Sequence, residues 1–440
     1  MSHRRLVAVV VVALCAAGCG SFTTPSQQRA AEQNQVPTGT STVAPAGAAT
    51  SPTPNTTPSA GNGGATDVGV TGDSITVGVV SSISGPVPGL FKGAASGVQA
   101  YFAYINSKGG IDGRQLKADV ADDQLQCSLN ESETASQIKS DFAEVGGFSL
   151  YDNCGAIPLK AAPNVPDVHQ ALSGERSDLP NNFSVEPLQP GASSGPFQFY
   201  KSQYGDAYLH AAGLFSNVPS SVQEWNYASG VMKSLGYKIA VADGISALET
   251  NLTSQVIQMR SKGVKFVDIF GAPSTFAQFM QAAQQQNWHP IVTTPGSGYD
   301  SSVAKIGGNA VNGMLTQTPT SLYFNASDAK NIPAVALFQA WMKKAEPSQV
   351  LDLYSVYGWS EAQLFVQALR TVGPDVTRAK VITALKGVTH FSNDLMAPAG
   401  PGNKTPAHCY VLTKLINGQW IRLDTPPSKF RCDGAWVNPS

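Results

Sequence analysis

Apolar and polar positions along most of the chain switch between two periods. Ile75, Val77, Val79 and Val80 crowd residues 74–82 too densely for a half-exposed strand and predict one buried on both faces. Residues 82–90 hold too much Gly and Pro to continue a regular element. Ala94, Val98, Phe102 and Ile105 then recur at helical spacing, with Tyr101 beside them. The stop is at residues 106–110, where Lys108 suits the negative helix end and a glycine the left-handed cap. A second strand over 115–122 completes a strand–helix–strand unit, which predicts a parallel sheet with a right-handed crossover.

The alternation continues. A helix is expected over 131–145, strands at 167–173 and 182–187, a helix at 198–204 and a strand at 209–215. Ser221 and Glu224 have the spacing of a capping box, opening a helix with Trp225, Ala228, Met232 and Leu235 on one face. A strand at 237–242, a helix striped by Leu252, Val256 and Met259, and a strand at 264–270 follow. Thr275 and Gln278 read as a second capping box. Helices are expected over 333–344, 358–371 and 377–385, then a hairpin of 408–416 and 419–423 on the Asn417-Gly418 turn. Such regular alternation predicts a doubly wound α/β fold, in which aromatic and Met stripes serve the core.

Three segments, residues 77–86, 105–114 and 122–124, occur in order and closely resemble the opening of the branched-chain amino-acid class of solute-binding proteins, the receptor subunits of ABC importers. The resemblance implies a type I periplasmic-binding-protein fold: two Rossmann-like lobes of parallel sheet flanked by helices and joined by a hinge. On that reading lobe 1 takes residues 73–188 and 320–388, and lobe 2 residues 189–319 and 389–440. The segment 408–416 is the candidate hinge strand that re-enters the second lobe.

The N-terminus changes the picture. Arg4 and Arg5, an apolar run over 6–14 and the ending Ala16-Ala17-Gly18-Cys19 read as an export signal over 1–19. The ending resembles a bacterial lipobox with Cys19 as the lipidated residue; an ordinary cleaved secretory signal is the other reading. Residues 20–72 are Ser, Thr, Pro, Ala, Gly, Gln and Asn with almost no large apolar side chain, a composition that predicts a disordered tether. Over about 50 residues, a loose coil would reach roughly 40 Å.

Formal charge is −1 and charged residues make up 13% of the chain, with no long basic run, which argues against a nucleic-acid partner. After the N-terminal run no apolar stretch is long enough to span a bilayer. Of six cysteines, Cys127, Cys154, Cys409 and Cys432 remain beyond the signal, and four allow three pairings. Pairing Cys127 with Cys154 and Cys409 with Cys432 is expected because each pair is local, and the first also resembles a disulfide of the family. The sequence holds no CxxC spacing or histidine cluster, so neither a metal site nor a cofactor is expected. It also holds no nucleophile elbow, HExxH or phosphate loop, and the chain is read as a binder rather than an enzyme. The pair Asp122-Asp123 is read as structural.

In open α/β sheets, ligands gather at the carboxyl ends of the strands. That places the candidate cleft among residues 82–91, 151–155, 171–173, 217–221, 271–275 and 295–300, with Ser84, Ser220, Pro273, Ser274 and Ser297 available for polar contacts. The resemblance adds roles. The family's carboxylate-binding hydroxyl falls on Gly155, with Asn153 and Tyr151 as substitutes. Its main-chain carbonyl and hydroxyl on the next strand fall on Ala171 and Ser173. Its acidic ammonium partner falls near residues 296–298, where no carboxylate stands; Asp152 or Asp300 would have to replace it. Phe91, Tyr151 and Tyr299 either stack on a solute's apolar body or pack within the lobes. The expected function is an extracytoplasmic, lipid-anchored receptor that delivers a small polar or amino-acid-like solute to a membrane permease. A sensor presenting its solute to a membrane signalling partner is the alternative.

Overall fold

The computed structural model describes residues 61–423 and 430–438, so the export signal, Cys19 and most of the tether lie outside the described residues. In chain order the strands are β1 (Ser74–Ser81), β2 (Gln115–Asp122), β3 (Glu144–Val145), β4 (Asp167–Val168), β5 (Ala192–Ser193), β6 (Ala211–Ser216), β7 (Ile239–Ile245), β8 (Phe266–Phe270), β9 (Ile291–Thr294), β10 (Leu315–Thr318), β11 (Val411–Ile416), β12 (Gln419–Arg422) and β13 (Trp436–Val437). The helices between them are α1 (Lys92–Asn106), α2 (Cys127–Ser140), α3 (Asp152–Ala161), α4 (Gly174–Ser177), α5 (Gly195–Gln203), α6 (Pro219–Ser234) and α7 (Thr253–Ser261). They continue with α8 (Pro273–Gln285), α9 (Ser301–Gly307), α10 (Ala326–Asn331), α11 (Pro333–Ala345), α12 (Leu353–Val372) and α13 (Arg378–Lys386).

Two sheets organise the chain. The first has the order β2-β1-β3-β4 and is parallel throughout. The second has the order β12-β11-β10-β9-β8-β6-β7, parallel from β7 to β10 and closed by antiparallel β11 and β12. In both, the chain starts at an inner strand, crosses to one edge, then returns to build the other side. The doubly wound α/β architecture expected from the alternation is therefore present twice. Ile75, Val77 and Val79 in β1, like Val267 and Ile269 in β8, are fully buried, as strands covered on both faces must be. Asn417 (φ 50°) and Gly418 (φ 76°) turn the β11–β12 hairpin, the positive φ pair that Asn-Gly adopts at little cost.

Boundaries differ where local signals compete. Helix α2 begins at Cys127 and ends at Ser140, short of the expected 145, because residues 144–145 join the sheet as β3. Helix α6 starts at Pro219 on N-cap Val218 and α8 at Pro273 on N-cap Ala272, neither with a side-chain cap. Neither capping box forms; proline, preset for the first helical position, moves each N-cap three residues earlier. Beyond Val168 the expected strand gives way to a loop held by side chains. Residues 393–404 bond to the first half, Asn393 to Ser360 and Lys404 to the Ser177 and Leu179 carbonyls.

Helices α1 and α12 press together through small residues. A Cβ at Gly358 would sit 2.0 Å from the Ala94 carbonyl oxygen, and one at Gly97 would sit 2.2 Å from that of Ser355. The backbones themselves are in contact, so side chains cannot yield. Gly358→Val is expected to destabilise the protein by at least about 1–3 kcal/mol, measured by urea unfolding; unchanged stability would show that the helices can separate freely.

Both disulfides form as paired on locality: Cys127 with Cys154, and Cys409 with Cys432. The second fastens residues 430–438 to the chain entering β11, and β13 there pairs with β5. No helix among the described residues is long and apolar enough to cross a membrane.

Candidate functional site

A cleft of about 650 Å³ opens where the carboxyl ends of the two sheets converge, within the roughly 300–1,000 Å³ of small-molecule sites. Its first wall comes from residues 86–91 after β1, Phe148 and Leu150 after β3, and Gln170–Leu172 after β4. Its second comes from Ser216, Val218, Ser220 and Ser221 after β6, Phe270–Ala272 and Ser274 after β8, and Pro295–Ser297 after β9. The back is closed by three passing segments, residues 186–193, 317–319 and 406–410. Both sheets therefore aim their topological switch points at one space, the arrangement open α/β sheets use to hold ligands.

The floor on the first side is aromatic. Phe91 packs its ring 5.0 Å from Phe148 and 4.6 Å from Tyr354; Phe148 lies 4.9 Å from Tyr354 and 5.6 Å from Tyr357. Two of these rings come from the start of α12, whose N-terminus is fixed by a capping box between Asp352 and Ser355. Leu150, Leu172 and Leu353 extend the apolar surface.

Of the residues singled out from sequence, Phe91, Ala171, Ser220, Ser274 and Ser297 line the cleft. The others stand elsewhere. Ser84 turns back to the Asp122 carboxylate, which also accepts from the Ile83 and Ser84 amides. Asp123 accepts from Asn130 and Ser149, so this acidic pair is structural, as read. Tyr151 and Asn153 are exposed, and Gly155 donates its amide to Asn130 within the α2–α3 contact. These three leave the lining because residues 152–161 coil into α3, whose inner face packs on α2. Ser173 caps α4, accepting from the Arg176 amide. Pro273 opens α8. Tyr299 is fully buried, stacked 4.2 Å from Phe324. Of the two substitutes named for an ammonium partner, Asp152 accepts from the Leu172 and Ser173 amides and Asp300 caps α9.

Sequence reasoning missed the cleft's carboxylates. Glu186 follows the end of the first half and accepts a hydrogen bond from the Tyr357 hydroxyl, 171 residues away. Glu224 lies on α6 with its surface open to the cleft. The surrounding protein raises the proton affinity of both carboxyls, and the charge of Glu186 raises that of Glu224 further. Gln317 presents a buried Oε1 without a hydrogen-bond partner.

Beneath residues 170–173 lies a buried charge network. Arg176 donates two bonds to Asp167, Nε at 3.0 Å and Nη2 at 2.7 Å, and Asn182 adds a third at 2.8 Å. Burial opposes the Arg176 charge, and Asp167, together with Asp152 and Glu144, more than offsets this, holding the guanidinium above its ordinary value. Glu361, fully buried on α12, has no partner for either carboxylate oxygen. Burial, then the charge of Asp167, pushes it well above the usual carboxylate range. The folded protein thus keeps this proton at pH values where the unfolded chain has released it. Its contribution is most favourable below the unfolded value of about 4.3 and is lost as pH rises toward the folded one. Glu361→Gln is therefore expected to flatten the fall of melting temperature between about pH 5 and pH 8; melting curves parallel to those of the wild type across that range would contradict it.

Comparison with known proteins agrees with this geometry. A model of the family described as periplasmic binding protein matches residues 74–419. The leucine-, isoleucine-, valine-, threonine- and alanine-binding protein of Pseudomonas aeruginosa is 22% identical over 335 residues, covering 72% of this chain and 83% of its own. A fatty acid ABC transporter substrate-binding protein from Thermomonospora curvata superposes with TM-score 0.71 at 17% identity, over 81% of this chain and 93% of that one. A branched-chain amino acid ABC transporter protein from Thermus thermophilus with bound valine gives 0.68 at 14%, over 80% and 96%.

Proposed function

Because the chain belongs to the periplasmic binding protein family, we propose that it is the lipid-anchored, extracytoplasmic solute receptor of an ABC importer. It takes a small solute with a largely apolar body into the cleft and closes on it. The observation that carries this reading is the cleft itself, fed by the strand ends of two sheets and floored by Phe91, Phe148, Tyr354 and Tyr357. The relatives are named for aliphatic amino acids and, in one case, for a fatty acid, ligands that share a hydrocarbon body.

Contacts from both walls favour the closed form, since a solute shifts the equilibrium only by its differential affinity for the two states. Residues 186–193, 317–319 and 406–410 serve as the waist. Phe91, Ala171, Ser220, Ser274 and Ser297 contribute lining contacts. Thermal-shift screening against a broad library of small solutes tests the reading. Stabilisation by a related group of compounds is expected, and no stabilisation by any class would overturn it.

The anchor is a separate element. Cys19, as the lipidated first residue of the mature protein, holds the receptor at the membrane through several acyl chains. A tether ahead of residue 61 lets the binding domain reach solute and still meet the permease; the expected bound of 72 is too late, since Val70 is buried and Arg114 donates to the Asn62 and Gly64 carbonyls. Cys19→Ala should shift the protein from the membrane fraction to the soluble extracytoplasmic fraction; retention in the membrane would refute lipid anchoring.

A further inference from the structure

The cleft's charge is one-sided. Glu186, Glu224 and Glu249 line it, and among the described lining residues there is no Lys or Arg; His408 is the one basic side chain. Glu186 follows β4 in the segment at the back of the cleft, and Glu224 stands on α6. Glu186 accepts from the Tyr357 hydroxyl, Tyr354 and Glu224 line the same cleft, and the charge of Glu186 raises the proton affinity of Glu224.

We propose that the receptor selects an organic amine of net positive charge with an apolar body, its ammonium held between Glu186 and Glu224. This assignment rests on the receptor reading and adds the substrate class. An ammonium brings three N–H donors and no acceptor. The cleft answers with two carboxylates, Glu186 and Glu224. Tyr354 and Tyr357 add aromatic surface beside the carboxylates, which suits a cation directly. The apolar body then lies over Phe91, Phe148 and Leu150.

Burial raises the proton affinity of both carboxyls, and at Glu224 repulsion from the Glu186 charge adds to it. Any cation that reaches both relieves that repulsion. Glu186 stands at the back of the cleft and Glu224 on α6, so one cation between them contacts both segments. A solute whose only charge is a carboxylate meets the opposite field, with no Lys or Arg to offset it. A zwitterion gains at its ammonium and loses at its carboxylate.

Calorimetric titration of the purified protein with three compounds on one carbon skeleton tests the assignment: 4-phenylbutylamine, 4-phenylbutyrate and the zwitterion homophenylalanine. The amine is expected to bind most tightly and the acid most weakly. Glu224→Gln and Glu186→Gln should each weaken the amine by about tenfold or more, the effect of losing one charge-assisted hydrogen bond, and leave the acid no weaker. Glu186→Gln retains an acceptor for the Tyr357 hydroxyl, so both variants are expected to fold, which circular dichroism checks. Tightest binding of the acid or the zwitterion, or amine binding indifferent to both substitutions, overturns the charge assignment and leaves the receptor reading standing. Should the amine fail to bind while the broad library yields only acids or neutral solutes, the charge assignment alone is lost. Failure of every class removes the receptor reading as well.

Discussion

Replacing Arg176 with methionine is expected to lower the unfolding free energy by about 3–5 kcal/mol, the cost of breaking a buried ion pair from one side. Arg176 and Asp167 are both essentially inaccessible to solvent. Without the guanidinium, Asp167 keeps only neutral partners, Asn182 among them, and Asp152, whose carboxyl burial already raises, loses the charge that moderates it. The loop of residues 170–173 rests on this network and forms part of the cleft wall, so affinity for solute should fall as well. A second substitution gives the control. Asp167→Asn added to Arg176→Met removes the stranded charge and keeps the hydrogen bond with Asn182, and it should recover much of the loss. Guanidinium unfolding of both variants decides the matter. Equal stability of the single and double variants would show that the uncompensated charge is not the cause.

Removing the Cys127–Cys154 disulfide is the second large effect. The two cysteines are 27 residues apart in sequence, and opening a loop of that length should cost about 3–4 kcal/mol. The bond ties the first residue of α2 to the first turn of α3. Leu125 precedes α2 and Leu150 precedes α3, and both line the cleft. The double substitution to alanine should therefore shift the unfolding midpoint strongly and weaken solute binding modestly. If dithiothreitol treatment of a variant with Cys409 and Cys432 replaced by alanine reproduces the stability loss, the Cys127–Cys154 bond rather than the side-chain change is responsible. A wild-type midpoint insensitive to reduction, in protein whose thiols are shown to be free, would contradict the account.

Much of the fold was legible because its signals are local. Ile75, Val77 and Val79 read as a buried strand from their own spacing, and Asn417-Gly418 announces a hairpin in two residues. The carboxyl ends of the strands could be located as well, since the loops follow the strands directly. What could not be read is which side chains of those loops turn inward. Ser84 has an acceptor at Asp122 that only the β1–β2 pairing brings near, and Tyr299 finds Phe324 through packing of later elements.

The glutamates show the limit most plainly. Glu224 has capping-box spacing from Ser221, yet Pro219 starts the helix earlier and leaves the Glu224 side chain to the cleft. Glu186 gains meaning only beside Tyr357, a partner supplied by α12. A search confined to the family's usual position for an acidic residue, near Gly296, finds none. The charge enters from another direction, and three-dimensional proximity alone reveals it.

A crystal structure of the protein purified from its own host, with the solute it has retained, tests the account most directly. The account predicts a small molecule in the cleft that touches both walls, with a nitrogen within hydrogen-bond distance of Glu186 or Glu224. A cleft filled by the protein's own side chains, or a solute bound away from it, would contradict the account.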